Sequence, residues 1–358
     1  MTSRPLDEHA SDRPSGAGPR RRASPTLADP IRYLGADDVD ALLPDLGGQV
    51  ELAARALRGL GEDAAEMPPK LGVHPRPGAL LHAMPAWYRP DDVVGVKWVS
   101  AFSGNGSRGI PAISGLVVLN DPDTGLPVCI LDAARITAVR TAAVSGVALR
   151  LFVRPGMRSA AILGAGVQAR SHLPHLARAL PDGDVVIYDR HRERAERLAA
   201  EALAAGFRTA SAGTSARAAV TDADVVVTVG ALGSQSQLMT ADWLRPGALV
   251  VAVDFATYVA AGLARVAGRF VVDDRAQFLA YRAAGHFDGY PEPGSTMGEE
   301  LARATATAPS TDEARDPASP APEHTVVTHL GVGLADVLFA DAVRAAAEER
   351  GVGMLLPR

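Results

Sequence analysis

With 358 residues, 47% of them apolar, the chain is long enough for two domains with substantial cores. Its net charge of −5 and pI near 6.0 give no reason to expect a nucleic-acid or polyanion partner. The single cysteine, Cys129, excludes an internal disulfide framework and a cysteine-based zinc cluster, and it fits a reducing, cytoplasmic setting.

Residues 1–29 are rich in Ser, Pro, Gly and Arg without periodicity, which predicts a disordered tail. Neither a signal peptide nor a membrane span is expected. No apolar run follows the first charges, and the longest apolar candidate, residues 248–264, carries Asp254. Order is expected from Ile31, then a helix beginning at Val39 with Asp37 and Asp38 as caps, then an amphipathic helix over 50–60. From residue 68 to 131 the pattern changes to short β-like runs at 78–85, 93–102, 113–119 and 127–131. The last two are joined by Asn120-Asp-Pro-Asp-Thr-Gly125, whose turn-forming residues predict a hairpin in an antiparallel or mixed sheet. Cys129 sits in the last run and reads as a packing residue. Residues 133–152 read as one long helix, whose small residues from Thr141 to Gly146 suit close packing.

The following region alternates strand and helix, as a doubly wound sheet requires. Strands are expected at 160–163, 184–189, 223–230, 248–254 and 269–273, with a helix at 193–204. Residues 302–323, dense in Ala, Thr, Pro and acids, read as a flexible surface segment. A strand at 325–330, a glycine turn and a helix from about 335 to 350 close the chain.

Three features carry chemistry. The first strand of the alternating region runs into Gly164-Ala-Gly-Val-Gln-Ala169, a G-x-G-x-x-A dinucleotide fingerprint at a strand-to-helix junction. There Gly164 permits the tight turn, Gly166 lets backbone approach a pyrophosphate, and the orphan N–H groups of the helix start face the anion. Asp189, 25 positions after Gly164, ends the second strand of that unit, where a carboxylate accepts from both ribose hydroxyls of NAD. Arg190 beside it is suited to the 2′-phosphate of NADP, so NAD is the first expectation and NADP the alternative. Third, Lys97 and Arg140 stand alone in otherwise apolar segments. Lys97 is either an edge-strand lysine reaching water or a cation in a pocket, and Arg140 either a structural partner or a bidentate carboxylate clamp. Lys70, after Pro68-Pro69, adds a cation. No metal is expected, because His172 and His175 share a helix face with no third ligand, and neither a nucleophile elbow nor a P-loop lysine occurs.

Taken together, His82-Ala-Met-Pro-Ala86, Val94-Gly-Val-Lys-Trp-Val99, Asn105 with Gly109-Ile-Pro111, residues 118–127, Arg140-Thr-Ala-Ala143 and Gly164–Ala169 resemble the ornithine cyclodeaminase/mu-crystallin family. The resemblance implies an α/β fold in which a Rossmann-type doubly wound sheet, residues 151–332, is inserted in an α+β substrate-binding and dimerisation domain made of 30–150 and about 333–358. It implies an NAD(P)-dependent oxidoreductase acting on the C–N bond of an amino or imino acid, by hydride transfer between substrate Cα and nicotinamide. An amino-acid dehydrogenase or a ketimine reductase is the leading form. An ornithine or lysine cyclodeaminase forming proline or pipecolate is the alternative, and a non-catalytic, crystallin-like NAD(P)H-binding protein the second. By position, Lys70, Met84, Lys97 and Arg140 match substrate-binding residues, with Lys97 also counted as catalytic. Gly164, Gly166, Val167, Gln168, Asp189, Arg190 and Thr228 match cofactor contacts. A homodimer is implied, with a small-molecule substrate as the other partner.

Three departures stand beside the resemblance. The family's catalytic Asp aligns with Ala256, so Asp254, two residues earlier, is either a displaced acid/base or a strand-end acid capping the next turn. Ile110-Pro-Ala112 stands where the cyclodeaminases have Leu-Pro-Thr. His329 stands where the family has a serine in the late turn.

Overall fold

The computed structural model describes residues 24–230, 236–306 and 323–358. Its elements, in chain order, begin with β1 (Ile31–Leu34), α1 (Ala36–Leu42), α2 (Leu46–Gly61), β2 (Ala65–Glu66), β3 (Leu71–Arg76), β4 (Ala79–Tyr88), β5 (Val93–Phe102), β6 (Ile113–Asn120), β7 (Pro127–Asp132) and α3 (Ala133–Phe152). They continue with β8 (Ser159–Leu163), α4 (Val167–Ala179), β9 (Asp184–Tyr188), α5 (Arg192–Ala204), β10 (Thr209–Ala212), α6 (Ala216–Val220), β11 (Val225–Thr228), β12 (Leu249–Ala252) and α7 (Ala261–Val266). The last are β13 (Arg269–Val272), α8 (Arg275–Ala283), β14 (Ser295–Thr296), α9 (Met297–Ala306), β15 (Thr325–Thr328), α10 (Gly333–Arg350) and β16 (Met354–Leu356).

Two sheets result. The first has the order β16-β1-β7-β6-β5-β4-β2, with β3 also paired to β4; it is antiparallel except where β1 lies parallel to β7. The expected hairpin joins β6 to β7. Asp121 accepts from the backbone and hydroxyl of Thr124 at 2.8 and 2.6 Å, and Gly125 takes the positive φ of +71° that closes the turn. The second sheet is parallel throughout, in the order β10-β9-β8-β11-β12-β15-β13-β14. Its central strands β11 and β12 are buried along their whole length, as expected of a sheet covered on both faces.

Burial alternates along β5, and this positions the site. Gly95, Lys97, Val99 and Ala101 point to the covered face, while Trp98 points out. In register, Lys97 lies between Met84 on β4 and Val117 on β6, both buried. The helix α3, capped by Asp132 accepting from Ala134 N at 2.9 Å, packs against α2, α4 and α10. A continuous apolar core therefore runs from Leu34 and Leu131 in the first sheet, through Leu149 and Leu173, to Val225 and Val251 in the second. The chain leaves β15, between β12 and β13 of the second sheet, and returns as α10 across β4, β5 and β6 of the first.

Several boundaries differ from expectation. The cap of α1 is Gly35, whose N–H donates to Asp38 Oδ2 at 3.1 Å, so Asp38 caps backward from inside the helix. Asp45 caps α2 by accepting from Gly48 N at 2.8 Å, which starts that helix before Val50. Strand β3 was not expected; it is exposed along its length and so lacks the alternation that marks a half-buried strand. Residues 24–29, assigned to the disordered tail, hold a turn in which Asp29 accepts from Thr26 N at 2.7 Å, while 1–23 lie outside the described residues. Residues 302–306 of the expected flexible segment belong to α9, and 307–322 lie outside the described residues. Among the described residues no helix is long and apolar enough to cross a membrane.

Candidate active site

Lys97 and Arg140 converge on a carboxylate that sequence reasoning missed. Asp336, in the first turn of α10, is fully buried; Lys97 Nζ lies 2.6 Å from its Oδ1 and Arg140 Nε 2.9 Å from the same oxygen. Lys97 also donates to Thr137 Oγ1 at 3.3 Å. Two further charges join the cluster electrostatically. Lys70 donates to the carbonyl of Leu330, and Asp273 accepts from Leu330 N at 2.9 Å and from Gly331 N at 2.7 Å. The cluster therefore holds three basic side chains against two carboxylates. Among the described residues, buried Arg140 Nη1 has no acceptor, so a guanidinium edge is left for an anion.

Burial dominates the titration of these groups. It pushes the Lys97 ammonium down to about 7, with the Arg140 charge adding to the fall and Asp336 opposing it. Burial and Arg140 likewise bring Lys70 down to about 8, with Asp273 and Asp336 opposing. The Asp273 carboxyl is raised by burial to about 6, against the pull of Lys70. His82, whose Nε2 lies 3.4 Å from Tyr281 Oη, is lowered to about 4 by burial and then by Lys70. A bound carboxylate would compensate the surplus positive charge and draw protons back onto both lysines.

The turn 329–333 ties the cluster to the second sheet. Gly331 has φ of +82°, and an added Cβ would meet Arg140 Cζ at 2.8 Å, so only glycine lets the guanidinium lie against this backbone. Gln277 Nε2 donates to Gly331 O at 3.3 Å. Met84 also lines this region, where Gly333 passes close to its backbone and Cβ.

The second half of the site is the glycine turn after β8. Gly164 has φ of +117° and an added Cβ would lie 2.7 Å from Val229 O, which forbids a side chain there. Gly166, by contrast, faces open space at the cap of α4, and Val167 beside it is exposed. This is the cradle a pyrophosphate requires: free backbone N–H groups at a helix start with nothing filling the volume above them. Asp189 Oδ2 accepts from Ala165 N at 2.9 Å and Oδ1 from His191 N at 2.8 Å, so the acid braces the turn and still has acceptor sites for ribose hydroxyls. Arg190 is exposed next to it.

Asp254 and Thr228 lie on this cofactor side. Asp254 Oδ2 accepts from Gly230 N at 3.0 Å and Oδ1 from Thr257 N at 3.0 Å, which is the geometry of a strand-end acid holding two loops. Burial raises its pKa, opposed by these amides and the Thr228 hydroxyl. Ala256 is buried with φ of +56°, and its methyl has no proton to exchange. A separate pocket of about 550 Å³, lined by Phe152, Arg269, Ser295, Glu300 and Arg303 among others, contains none of the clustered lysines.

Residues 38–265 match the sequence profile of the ornithine cyclodeaminase/mu-crystallin family. The chain belongs to that family. It is 35% identical over 332 residues to nodulation efficiency protein NfeD of Rhizobium meliloti, covering 91% of this chain and 98% of that one. It is 34% identical over 230 residues to the ketimine reductase mu-crystallin of Rattus norvegicus, covering 62% and 70%. A solved archaeal alanine dehydrogenase dimer with bound NAD is similar in structure, with a TM-score of 0.77 and 26% identity over 91% of this chain and 98% of that one.

Of the residues singled out from the sequence, the structure brings Lys70, Lys97 and Arg140 together, with Met84 alongside, and groups Gly164, Gly166, Val167, Gln168, Asp189 and Arg190 at the turn. Sequence reasoning missed Asp336, Asp273 and Ser145. Asp336 carried the same signal that exposed Lys97, a lone charge inside an apolar segment, here residues 333–340. Cys129 is buried, and burial raises its thiol to about 11, as a packing residue's would be. Among the described residues no group of three or more His, Cys, Asp or Glu is placed to hold a metal.

Proposed function

We propose that this protein is an NAD-dependent oxidoreductase acting on the C–N bond of an α-amino or α-imino acid. The observation that carries the reading is the buried surplus of basic side chains around Asp336, with Arg140 Nη1 unpartnered. Arg140, Lys97 and Lys70 hold the substrate carboxylate, and Met84 packs beside it. Lys97, titrating near 7 while buried, is also placed to exchange a proton with the substrate. Gly164, Gly166, Val167 and Gln168 hold the dinucleotide phosphates, with Thr228 behind them. Asp189 favours NAD over NADP, and Arg190 leaves NADP as the second choice. When bound, the dinucleotide supplies the two-electron acceptor or donor for the C–N bond.

Between the two family chemistries, dehydrogenation or imine reduction is favoured over cyclodeamination. The position that aligns with the family's catalytic acid holds Ala256, buried with φ of +56° and with no proton to exchange. A cytoplasmic setting, where dinucleotides are supplied, goes with this reading. So does a homodimer: Leu71, Ala83, Trp98 and Leu116 lie side by side across four strands on the outer face of the first sheet. Leu71, Trp98 and Leu116 are 69%, 44% and 41% exposed there, an apolar row suited to a second copy. The test is turnover. Purified protein is incubated with NAD and a panel of amino acids, or with NADH and cyclic imines or 2-oxo acids plus amines. Net change in reduced nicotinamide is expected; proline or pipecolate formation without net change would mark a cyclodeaminase instead.

A further inference from the structure

A buried hydrogen-bonded chain joins the two halves of the site. His172 Nδ1 lies 2.6 Å from the carbonyl of Gln168, His172 Nε2 lies 2.7 Å from Ser145 Oγ, and Ser145 Oγ lies 2.8 Å from His329 Nε2. All three side chains are fully buried. The polarity of the chain follows from its first member. A carbonyl only accepts, so His172 Nδ1 carries the hydrogen. Burial holds both imidazoles neutral, His172 at about 4 and His329 well below its usual value. His172 Nε2 is then a bare acceptor, and the Ser145 hydroxyl donates to it. Ser145 Oγ in turn accepts from His329 Nε2–H. This leaves His329 Nδ1 as a bare lone pair, and that nitrogen is buried without a partner among the described residues.

His329 lies beside the cation cluster. Arg140 and Lys70 act on His329 electrostatically, while the next two residues contact them directly: Leu330 O accepts from Lys70, and Gly331 lies against Arg140. We propose that His329 Nδ1 is the hydrogen-bond acceptor for the N–H of the substrate's α-nitrogen, and that Ser145 and His172 are positioning residues that fix its tautomer. The inference rests on the amino- or imino-acid reading of the site. Its consequence is selectivity. An acceptor-only nitrogen favours an amine or protonated imine, which offer N–H, and repels the carbonyl oxygen of a 2-oxo acid. It also favours the protonated C=N, the form that accepts electrons more readily than the neutral imine.

The test uses the full-length protein with NAD present and three matched pairs of probes. These are L-proline with cyclopentanecarboxylate, L-alanine with propanoate, and L-ornithine with 5-aminopentanoate. Each pair shares the carboxylate and differs at the α-nitrogen. His329→Gln keeps a polar group for Ser145 but removes the Nδ1 acceptor. It is expected to weaken the bound amino acid by roughly 10- to 100-fold and to leave its nitrogen-free partner within about twofold. Arg140→Ala is expected to weaken both members of the pair alike. Neutron diffraction of the unsubstituted protein is expected to show hydrogen on His329 Nε2 and none on Nδ1, and Ser145→Ala to lose that preference. Hydrogen on Nδ1, or equal effects of His329→Gln on both members of a pair, overturns the proposal and leaves the carboxylate site standing. Failure of every probe to bind the unsubstituted protein overturns the site reading, and the proposal with it.

Discussion

Replacing Asp336 with Asn removes one charge while nearly preserving shape, and it isolates the pairing at the centre of the cluster. Lys97 Nζ at 2.6 Å and Arg140 Nε at 2.9 Å share Asp336 Oδ1, and all three side chains are 5% exposed or less. Breaking a buried pair by removing one partner costs about 3–5 kcal/mol, because the remaining charge is left uncompensated. At about 2–4 °C per kcal/mol, the melting temperature should fall on the order of 6–20 °C. The pH dependence has a definite sign. Lys97 is depressed in the folded protein to about 7, so between there and the usual lysine range the unfolded chain binds more protons and stability rises with pH. Above about 7 the parent has already lost the Lys97 charge, and only the Arg140 pairing remains for Asp336 to supply. The deficit of Asp336→Asn should therefore be larger at pH 6.5 than at pH 9, as measured by thermal or urea melts of both proteins. Equal melting temperatures at both pH values, or a deficit that grows with pH, would refute the cluster as the source of the effect.

The glycine turn separates stability from binding. Gly166→Ala, set in open space, should leave the melting temperature within about 2 °C while weakening NAD at least about 10-fold by calorimetry. Gly164→Ala, forced against Val229 O at 2.7 Å with φ of +117°, should lose both. Gly331→Ala should displace Arg140 and lower kcat/KM for the amino or imino acid by about 10-fold or more with NAD affinity retained, read by steady-state kinetics and titration. Trp98→Glu should convert a dimer to monomer in sedimentation velocity without altering the helical circular dichroism; an unchanged sedimentation coefficient would remove that face as the interface.

Much of this site was legible because charge inside an apolar run is a local signal. Lys97 in β5 and Arg140 in α3 both showed it, and the strand–glycine–helix order around Gly164 needs only contiguous residues. Their common partner was harder to read, since Arg140 and Asp336 are 196 positions apart and only the return of α10 across the first sheet brings them together. Ser145 read as a small packing residue, His172 as one of two histidines sharing a helix face, and His329 as a replacement for the family's serine in the late turn. Their contacts span 27 and 184 positions and arise where α3 packs against α4 and meets the turn that follows β15. Asp254 carried two readings in the sequence, and the amides of Gly230 and Thr257 supply the partners that only a folded turn can provide. The edge strand β3 escaped because pattern reading depends on one face being buried, and its residues are exposed.

The central claim is that the basic cluster and the glycine turn form one site for amino- or imino-acid redox chemistry. It is tested most directly by following reduced nicotinamide absorbance for the unsubstituted protein and Arg140→Ala across the same panel of amino acids, cyclic imines and oxo acids with amines. Net turnover by the unsubstituted protein on at least one member is expected, with a loss of about 100-fold or more in Arg140→Ala and NAD affinity unchanged between the two. Equal turnover by both proteins, or loss of NAD binding in Arg140→Ala, would contradict it.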